Sequence, residues 1–301
     1  MPVKYAVVDA FTDTTFKGNP AAVCLLEEQR SEAWLQSVAS EFNLSETCYL
    51  TRLTDLDPDS PSSRFKLRWF TPAAEVKLCG HATLAAAHFC FTSGIVMGDT
   101  IEFSTLSGNL TAKKKALQQE IEGLDTLKGE NNGEPPDQQF SIELDFPAVP
   151  LTEYTDSCDI VSISKFLGDA LVVDIKRTTS DDLFVVLPSA KFVSDLQPQF
   201  EKIKECPGRG LIISGLAAPE SGFDFFSRFF CPKLGVNEDP VCGSAHCALV
   251  PYWSKMLGKC DFLAYAASPR SGVLKLHFDE KNKRVQIEGK AVTVMEGCLL
   301  V

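Results

Sequence analysis

The sequence contains no apolar run that approaches the roughly 20 residues needed to cross a bilayer. Its first residues also lack the basic region, long apolar stretch and small-residue cleavage site of a signal peptide. Instead a short, strand-like run begins at once, Val3–Val8. We therefore expect no membrane role and a cytoplasmic protein.

Positive charge is scarce. Lys and Arg together number 29 against 40 Asp and Glu, which gives a formal net charge of −11. The one basic cluster, Lys113–Lys115, is short. Nucleic-acid binding depends on neutralising many phosphates, so this composition predicts no nucleic-acid partner.

Motifs for nucleotides are missing. No Gly-Lys-Ser or Gly-Lys-Thr occurs, and Gly208, Gly210 and Gly215 do not have the spacing of the dinucleotide fingerprint. We therefore expect a reaction without a cofactor.

Histidine is also rare, and a metal site is not indicated. Cys79, His81, His88 and Cys90 resemble a ligand set, but residues 81 and 88 would lie about 10.5 Å apart along a helix. Zinc bonds of about 2 Å cannot span that distance. His246 could share an ion with a cysteine four residues earlier, but the polar residues of the same turn would then have no role. We expect no metal.

Cysteine is the exception, with eleven residues. Most lie within apolar segments such as Ala22–Leu25. Because nothing indicates secretion, we interpret them as free, reduced thiols.

A motif occurs twice, once in each half of the chain. The first copy reads Arg68-Trp69-Phe70-Thr71-Pro72, then Cys79-Gly80-His81-Ala82. The second copy reads Ser227-Arg228-Phe229-Phe230-Cys231-Pro232, then Asp239-Pro240-Val241-Cys242-Gly243-Ser244-Ala245. The repetition indicates a duplicated half-domain with one active site between the halves.

Periodicity predicts alternating strands and helices. A helix is expected from an N-cap at Ser31 to Asn43, and a second, buried helix from His81 to about Phe91. The polar stretch 123–139, with its Gly and Pro residues, is the best linker candidate. We predict a first half-domain of residues 1–122, a second of residues 140–292, and a return of 293–301 to the first.

Each copy of the motif places a glycine and a small or polar residue immediately before a buried helix. The first amide groups of a helix are unpaired and lie at the positive end of its dipole, so they bind anions. Gly80 and Gly243 would let a ligand approach the backbone closely. Two such helix starts facing each other would hold a small carboxylate, and His81, Asp239 and Ser244 stand beside them as candidate polar contacts.

Four motifs in this order are similar to those of the PhzF family of phenazine biosynthesis-like proteins, particularly its eukaryotic members. They are Gly18-Asn19-Pro20-Ala21-Ala22-Val23, Ser45-Glu46-Thr47, Cys79-Gly80-His81-Ala82-Thr83 and Glu238-Asp239-Pro240-Val241-Cys242-Gly243-Ser244-Ala245-His246. The resemblance covers almost the entire chain. It implies an α+β fold of the diaminopimelate epimerase-like type, with two pseudo-symmetric domains, each a curled antiparallel sheet around a central helix, and commonly a homodimer.

The resemblance also implies a mechanism. The residue matching Glu46 is the general acid/base that moves a proton between carbons of a cyclic hydroxy-amino acid without a cofactor. By the same match His81 and Asp239 take part in catalysis. The substrate contacts implied are Asn19, Ser45, Gly80, Gly243 and Ser244, with the two glycines offering backbone N–H groups to a carboxylate.

Two alternatives stay open. The family usually has Thr where this chain has Cys242, so Cys79 and Cys242 imitate the thiol pair of the related epimerases and racemases. In that case Glu46 and Asp239 would be idle. The other alternative is a protein that binds a ligand in an inherited cleft and does not turn it over.

Overall fold

The computed structural model describes residues 2–53, 63–116, 140–154, 163–168 and 170–300. Its strands are β1 Val3–Ala10, β2 Asn19–Leu26, β3 Glu46–Arg52, β4 Ser63–Phe70, β5 Glu75–Val76, β6 Thr100–Thr105, β7 Gly108–Ala116, β8 Phe140–Pro147, β9 Leu151–Glu153, β10 Asp174–Thr178, β11 Asp182–Val186, β12 Gly210–Leu216, β13 Phe225–Cys231, β14 Val236–Asp239, β15 Asp261–Ala266, β16 Gly272–Asp279, β17 Arg284–Gly289 and β18 Ala291–Leu299. Its α-helices are α1 Glu32–Phe42, α2 Gly80–Thr92, α3 Ala190–Asp195, α4 Phe200–Glu205 and α5 His246–Leu257.

All the strands belong to one hydrogen-bonded sheet. Its pairings run β18, β1, β2, β3, β4, β6, β7, β8, then β17, β16, β15, β13, β12, β11, β10, β9. The short strands β5 and β14 pair with β4 and β13. Four pairs are parallel, β2 with β3, β4 with β6, β11 with β12 and β13 with β15. The parallel pairs thus occur at matching places on either side of the junction between β8 and β17.

The duplicated motif lies on equivalent strands of this sheet. Its first copy runs along β4, which pairs with β3 so that Thr47 faces Phe70. Its second copy runs along β13, which pairs with β12 so that Leu211 faces Phe230. Residues of β3 can therefore be matched with residues of β12 one by one.

The predicted domain boundaries can be compared with the strands next to them. Strand β18 lies along β1 over its whole length. Strand β8, with which the predicted second domain begins, pairs with β7 on one side and with β17 on the other. The predicted linker 123–139 lies outside the described residues. The division into two domains therefore stays a prediction.

Helix α2 is buried on every side, as its alanine-rich sequence predicts. Its first eleven residues, Gly80–Cys90, are all buried, and it packs against β1, β2 and β3. Helix α1 confirms the predicted caps, because the Ser31 side chain accepts from the backbone N–H of Trp34 and Asn43 ends the helix in the left-handed conformation. Among the described residues, no helix combines the length and apolar character that a membrane crossing requires.

Candidate active site

The two glycine turns of the duplicated motif touch each other. A Cβ atom added to Gly80 would lie 3.0 Å from the Cα atom of Gly243, and one added to Gly243 would lie 3.2 Å from the Cα atom of Gly80. Only residues without a side chain allow this approach. The prediction that both turns face one site is thus compatible with their contact in the structure.

The second turn differs from the predicted one. Helix α5 begins at His246, one residue later than a helix that directly follows Gly243 and Ser244. The intervening residues form a tight turn in which the amide of His246 donates to the Gly243 carbonyl at 3.1 Å, three residues back. The first turn leads directly into α2, which begins at Gly80. The two turns therefore enter their helices differently.

Glu46 is the first residue of β3 and lies against the start of α2. Its Oε2 atom is 3.0 Å from Nε2 of His81, and the two side chains are only 14% and 1% exposed. The contact is close enough for an ion pair, yet Oε2 makes no hydrogen bond of good geometry with any described residue. Glu46 thus offers a buried oxygen with an open acceptor position, which a proton-transfer group requires.

The proton on His81 can be placed from its neighbours. The Ser45 hydroxyl, which can donate to Oδ1 of Asn19 at 2.9 Å or to the carbonyl of Pro20 at 3.1 Å, lies 3.3 Å from Nε2 of His81. The Glu46 carboxylate lies 3.0 Å from the same nitrogen and can only accept. Nε2 therefore carries a proton, directed toward Ser45 and Glu46. Burial lowers the pKa of His81, but the Glu46 carboxylate more than offsets this, so the net shift is upward.

Asp239 is tied to the first half of the chain through Asn19. Nδ2 of Asn19 donates to Oδ1 of Asp239 at 2.6 Å and to the carbonyl of Val241 at 3.1 Å. Burial raises the pKa of Asp239 to about 6, and the Glu46 carboxylate adds to the shift while His81 opposes it. Near neutral pH this carboxyl can therefore hold or release a proton.

Two predicted substrate contacts have other partners in this structure. Both amide hydrogens of Asn19 and the hydroxyl hydrogen of Ser45 are used within the protein. The two side chains therefore position Asp239 and His81. Their contact with a substrate stays a prediction, as do the roles assigned to Gly80, Gly243 and Ser244.

The two thiols of the alternative mechanism are poor acids here. Burial raises the pKa of both Cys79 and Cys242 well above the usual value, and the carboxylates of Glu46 and Asp239 respectively raise it further. Cys79 Sγ lies 3.4 Å from Nδ1 of His81, and Cys242 Sγ lies 3.4 Å from the Ser244 hydroxyl. Both groups are therefore neutral thiols at pH 7, and a thiolate base is disfavoured.

The burial of Cys79 and Cys242 predicts which cysteines can be alkylated. With iodoacetamide at pH 8 and without denaturant, we expect the exposed Cys298 to react within minutes. Cys79 and Cys242 should stay unmodified, because alkylation needs an accessible thiolate. Peptide mass spectrometry after brief labelling measures this. Labelling of Cys79 as fast as Cys298 would contradict the account.

Three site residues lie close enough to raise the question of a metal. Glu46, Cys79 and His81 each offer a ligand atom within 4.8 Å of the others, the only such group among the described residues. However, Nδ1 of His81 faces the cysteine and Nε2 faces the glutamate. One ion would bond one ring nitrogen and leave the other two ligands on opposite sides of the imidazole, so the arrangement does not fit a metal centre.

The other histidines considered as ligands are structural. His88 is 6% exposed and stacks against Phe140, and burial lowers its pKa to about 4. His246 has its ring nitrogens 2.9 Å from the carbonyl of Cys242 and 3.4 Å from the Ser227 hydroxyl, and burial lowers its pKa to about 4 as well. Both are neutral core residues at pH 7.

Sequence reasoning missed two ion pairs that support the site. Arg68 donates to both carboxylate oxygens of Glu75, and Arg228 does the same to Glu238. Each glutamate stands four residues before the Cys-Gly of its motif copy. That shared spacing is the signal that could have found them, because the pairs fix β5 and β14, which lead into the two turns.

The pKa of Asp239 predicts a pH dependence of stability. Its folded value of about 6 lies above the ordinary 3.8, so its contribution is complete below pH 3.8 and is lost as the pH rises to about 6. Relative to Asp239→Asn, we expect the free energy of unfolding of the wild type to fall over that window. Urea unfolding of both proteins at pH 4, 5, 6 and 7 measures it. A difference that rises with pH would contradict the assigned direction.

Comparison with known proteins places this geometry in a family. The family model for phenazine biosynthesis-like protein, PhzC-PhzF, matches residues 8–297. An uncharacterized isomerase of Halalkalibacterium halodurans is 41% identical over 298 residues, 98% of this chain and 97% of that protein. Mouse phenazine biosynthesis-like domain-containing protein 2 is 38% identical over 312 residues, with 99% of each chain covered.

A solved structure agrees with these sequence relatives. The PhzF family protein of Enterococcus faecalis is 36% identical, with a TM-score of 0.78 and complete coverage of both chains. The predicted α+β fold of the diaminopimelate epimerase-like type is thereby confirmed, and the protein is an isomerase. The chain belongs to the PhzC-PhzF family of phenazine biosynthesis-like proteins.

Proposed function

We propose that this protein moves a proton between two carbon atoms of a small carboxylate-bearing metabolite, with Glu46 as the acid/base. The observation that supports this most strongly is the buried Oε2 atom of Glu46, which has no good hydrogen bond and lies 3.0 Å from a histidine nitrogen. A carboxylate oxygen with an open acceptor position beside a histidine is placed to take a proton from a bound substrate.

Glu46, His81 and Asp239 have separate roles in the proposed reaction. The Glu46 carboxylate removes a proton from a C–H bond adjacent to an unsaturated system, and the electron pair left behind is delocalised. The Glu46 side chain is 14% exposed, so its carboxyl proton can exchange with solvent before a proton is delivered to another carbon of that system. One proton leaves and one returns, so no atom or electron is gained or lost overall. His81, through Nε2–H, and Asp239, with its raised pKa, are placed to hydrogen-bond the oxygen or nitrogen where charge develops.

The turns at Gly80 and Gly243 supply the substrate-binding end. Free amide groups at the start of α2 and in the turn before α5 would hold the substrate's carboxylate. The described cavity beside Asp239 and Cys242 measures only about 10 Å³, roughly the space of one water. This cavity lies on the side of the second half, since none of its lining residues comes from the first.

A two-thiol epimerase is supported less well. It needs one of Cys79 and Cys242 as a thiolate, whereas burial favours the neutral form of both. It also leaves Glu46 without a function, although this carboxylate occupies the centre of the site. The pairing of Cys79 with His81 is its one favourable contact.

Deuterium incorporation tests the proposal. The protein is incubated in D2O with a panel of small cyclic and linear hydroxy- and amino-carboxylates, and each compound is followed by mass spectrometry. We expect at least one unsaturated member to gain a single deuterium in the presence of enzyme and not in its absence. A panel without any exchange would favour the alternative of a binding protein without turnover.

A further inference from the structure

The two halves of the site are chemically unequal. Strand pairing sets Ala21 opposite Glu46 in the first half and Asp182 opposite Gly210 in the second. Since β3 and β12 also pair equivalently with β4 and β13, Gly210 takes the position of Glu46. The second half therefore has no counterpart of the acid/base.

Other groups fill the space that a side chain at Gly210 would occupy. A Cβ atom there would lie 2.6 Å from the Phe229 ring and 3.0 Å from Oδ1 of Asp182. Phe229 also lines the small cavity beside Asp239 and Cys242. The Asp182 carboxylate thus lies beside Gly210, at the position of the second half that is equivalent to Ala21 of the first.

This carboxylate is neutralised by Arg209, which takes the position of Ser45. Nε and Nη2 of Arg209 donate to the two oxygens of Asp182 at 2.9 and 2.7 Å. Asp182 is 6% exposed, whereas the Arg209 side chain is 42% exposed. The buried partner therefore holds the guanidinium in one orientation while part of it stays accessible.

Arg209 has hydrogen-bond donors without a partner among the described residues, whereas Arg228, the buried arginine of the same half, does not. Nη1 of Arg228 donates to the carbonyls of Leu196 and Val193. Its Nε and Nη2 donate to Glu238, so every nitrogen of this guanidinium group has a partner within the protein. Nη1 of Arg209 makes no hydrogen bond to a described residue. Arg209 directly precedes Gly210, where an added Cβ atom would contact the Phe229 ring, and Phe229 lines the same small cavity as Cys242 of the second turn. The guanidinium therefore belongs to the second half's side of the site.

We propose that Arg209 binds a second carboxylate of the substrate, so that the preferred substrates are dicarboxylates. One carboxylate would lie at the glycine turns and the other at the free edge of the Arg209 guanidinium, whose planar fork suits a carboxylate. This inference rests on the proposed function in one respect, the carboxylate held at the turns. It adds the substrate class and a residue that selects it.

A matched pair of probes tests the inference by binding alone. Glutarate and pentanoate have the same five-carbon chain and differ in one carboxylate. By titration calorimetry we expect the wild type to bind glutarate at least about tenfold more tightly, the effect of one charge-assisted hydrogen bond. Arg209→Gln should bring the two affinities within about twofold, at unchanged pentanoate affinity, because the loss of one such bond removes the preference.

Three further variants separate the role of Arg209 from effects on the fold and from the role of Glu46. Arg177→Gln removes an exposed arginine paired with Asp181 and should keep the wild-type preference. The double variant Asp182→Asn with Arg209→Gln leaves no buried carboxylate unpaired, and it should lose the preference for glutarate. Glu46→Gln should keep the preference even if exchange is lost, which separates this inference from the proposed function.

Two outcomes would overturn the assignment. One is a wild type that does not bind glutarate or does not prefer it to pentanoate. The other is a preference that survives in both Arg209 variants. If the preference depends on Arg209 while no compound exchanges deuterium, the proposed function fails and this inference stands.

Discussion

Replacing Glu46 by Gln should lower the rate of carbon-bound proton exchange by about 10²- to 10⁴-fold, the usual contribution of a positioned acid/base. The amide keeps the shape of the side chain but cannot accept the substrate's proton. Because Oε2 makes no good hydrogen bond with the described residues, the substitution breaks none at that atom. Exchange rates are measured by mass spectrometry with whichever panel compound the wild type deuterates.

The matched control is Cys79→Ser, which alters the other neighbour of His81. We expect its exchange rate to stay within about fivefold of the wild type, because a neutral thiol contributes no proton-transfer step at pH 7. Circular dichroism and thermal unfolding should show both variants folded. Full activity in Glu46→Gln together with loss in Cys79→Ser would favour the two-thiol epimerase.

Replacing Arg228 by Met should lower the free energy of unfolding by about 3–5 kcal/mol, the usual cost of leaving one member of a buried ion pair alone. Arg228 and Glu238 are 5% and 11% exposed, and they bond through two parallel hydrogen bonds. The variant would also release the carbonyls that Nη1 of Arg228 holds. Urea unfolding at pH 7 measures the loss.

The equivalent pair in the first half supplies the comparison. Arg68 and Glu75 are 17% and 22% exposed, so Arg68→Met should cost less, on the order of 1 kcal/mol. Adding Glu238→Leu to Arg228→Met should recover most of the stability, since no buried charge is then unpaired. Equal losses in the two single variants would contradict this assignment.

Local signals predicted much of the fold. The helix from Ser31 to Asn43 was readable from an N-cap and an apolar face, and the structure confirms both ends. Helix α2 was readable from continuous small and apolar residues. These features depend on neighbours within a few residues, so the sequence expresses them directly.

The arrangement of the site depends on contacts between distant residues. Asn19 reaches Asp239 across 220 positions of the chain, and no local pattern indicates such a bond. The ion pair of Arg209 with Asp182 joins the starts of two parallel strands 27 residues apart. The family resemblance named Glu46, but its buried oxygen without a good hydrogen bond, on which the proposed role depends, exists only once β3 and α2 are packed.

Other sequence predictions concern the partners and the location of the protein. A homodimer, a cytoplasmic location and the absence of a nucleic-acid partner stay predictions. They depend on surfaces and surroundings that the packing of a single chain does not determine.

The site of deuterium incorporation tests the central claim most directly. Wild-type enzyme is incubated in D2O with a compound that exchanges, and NMR identifies the labelled carbon and the position of unsaturation in the product. The account predicts deuterium on a carbon other than the one that lost its proton, with the unsaturation moved, and no label in Glu46→Gln. Label on the original carbon with inverted configuration, still present in Glu46→Gln, would contradict it.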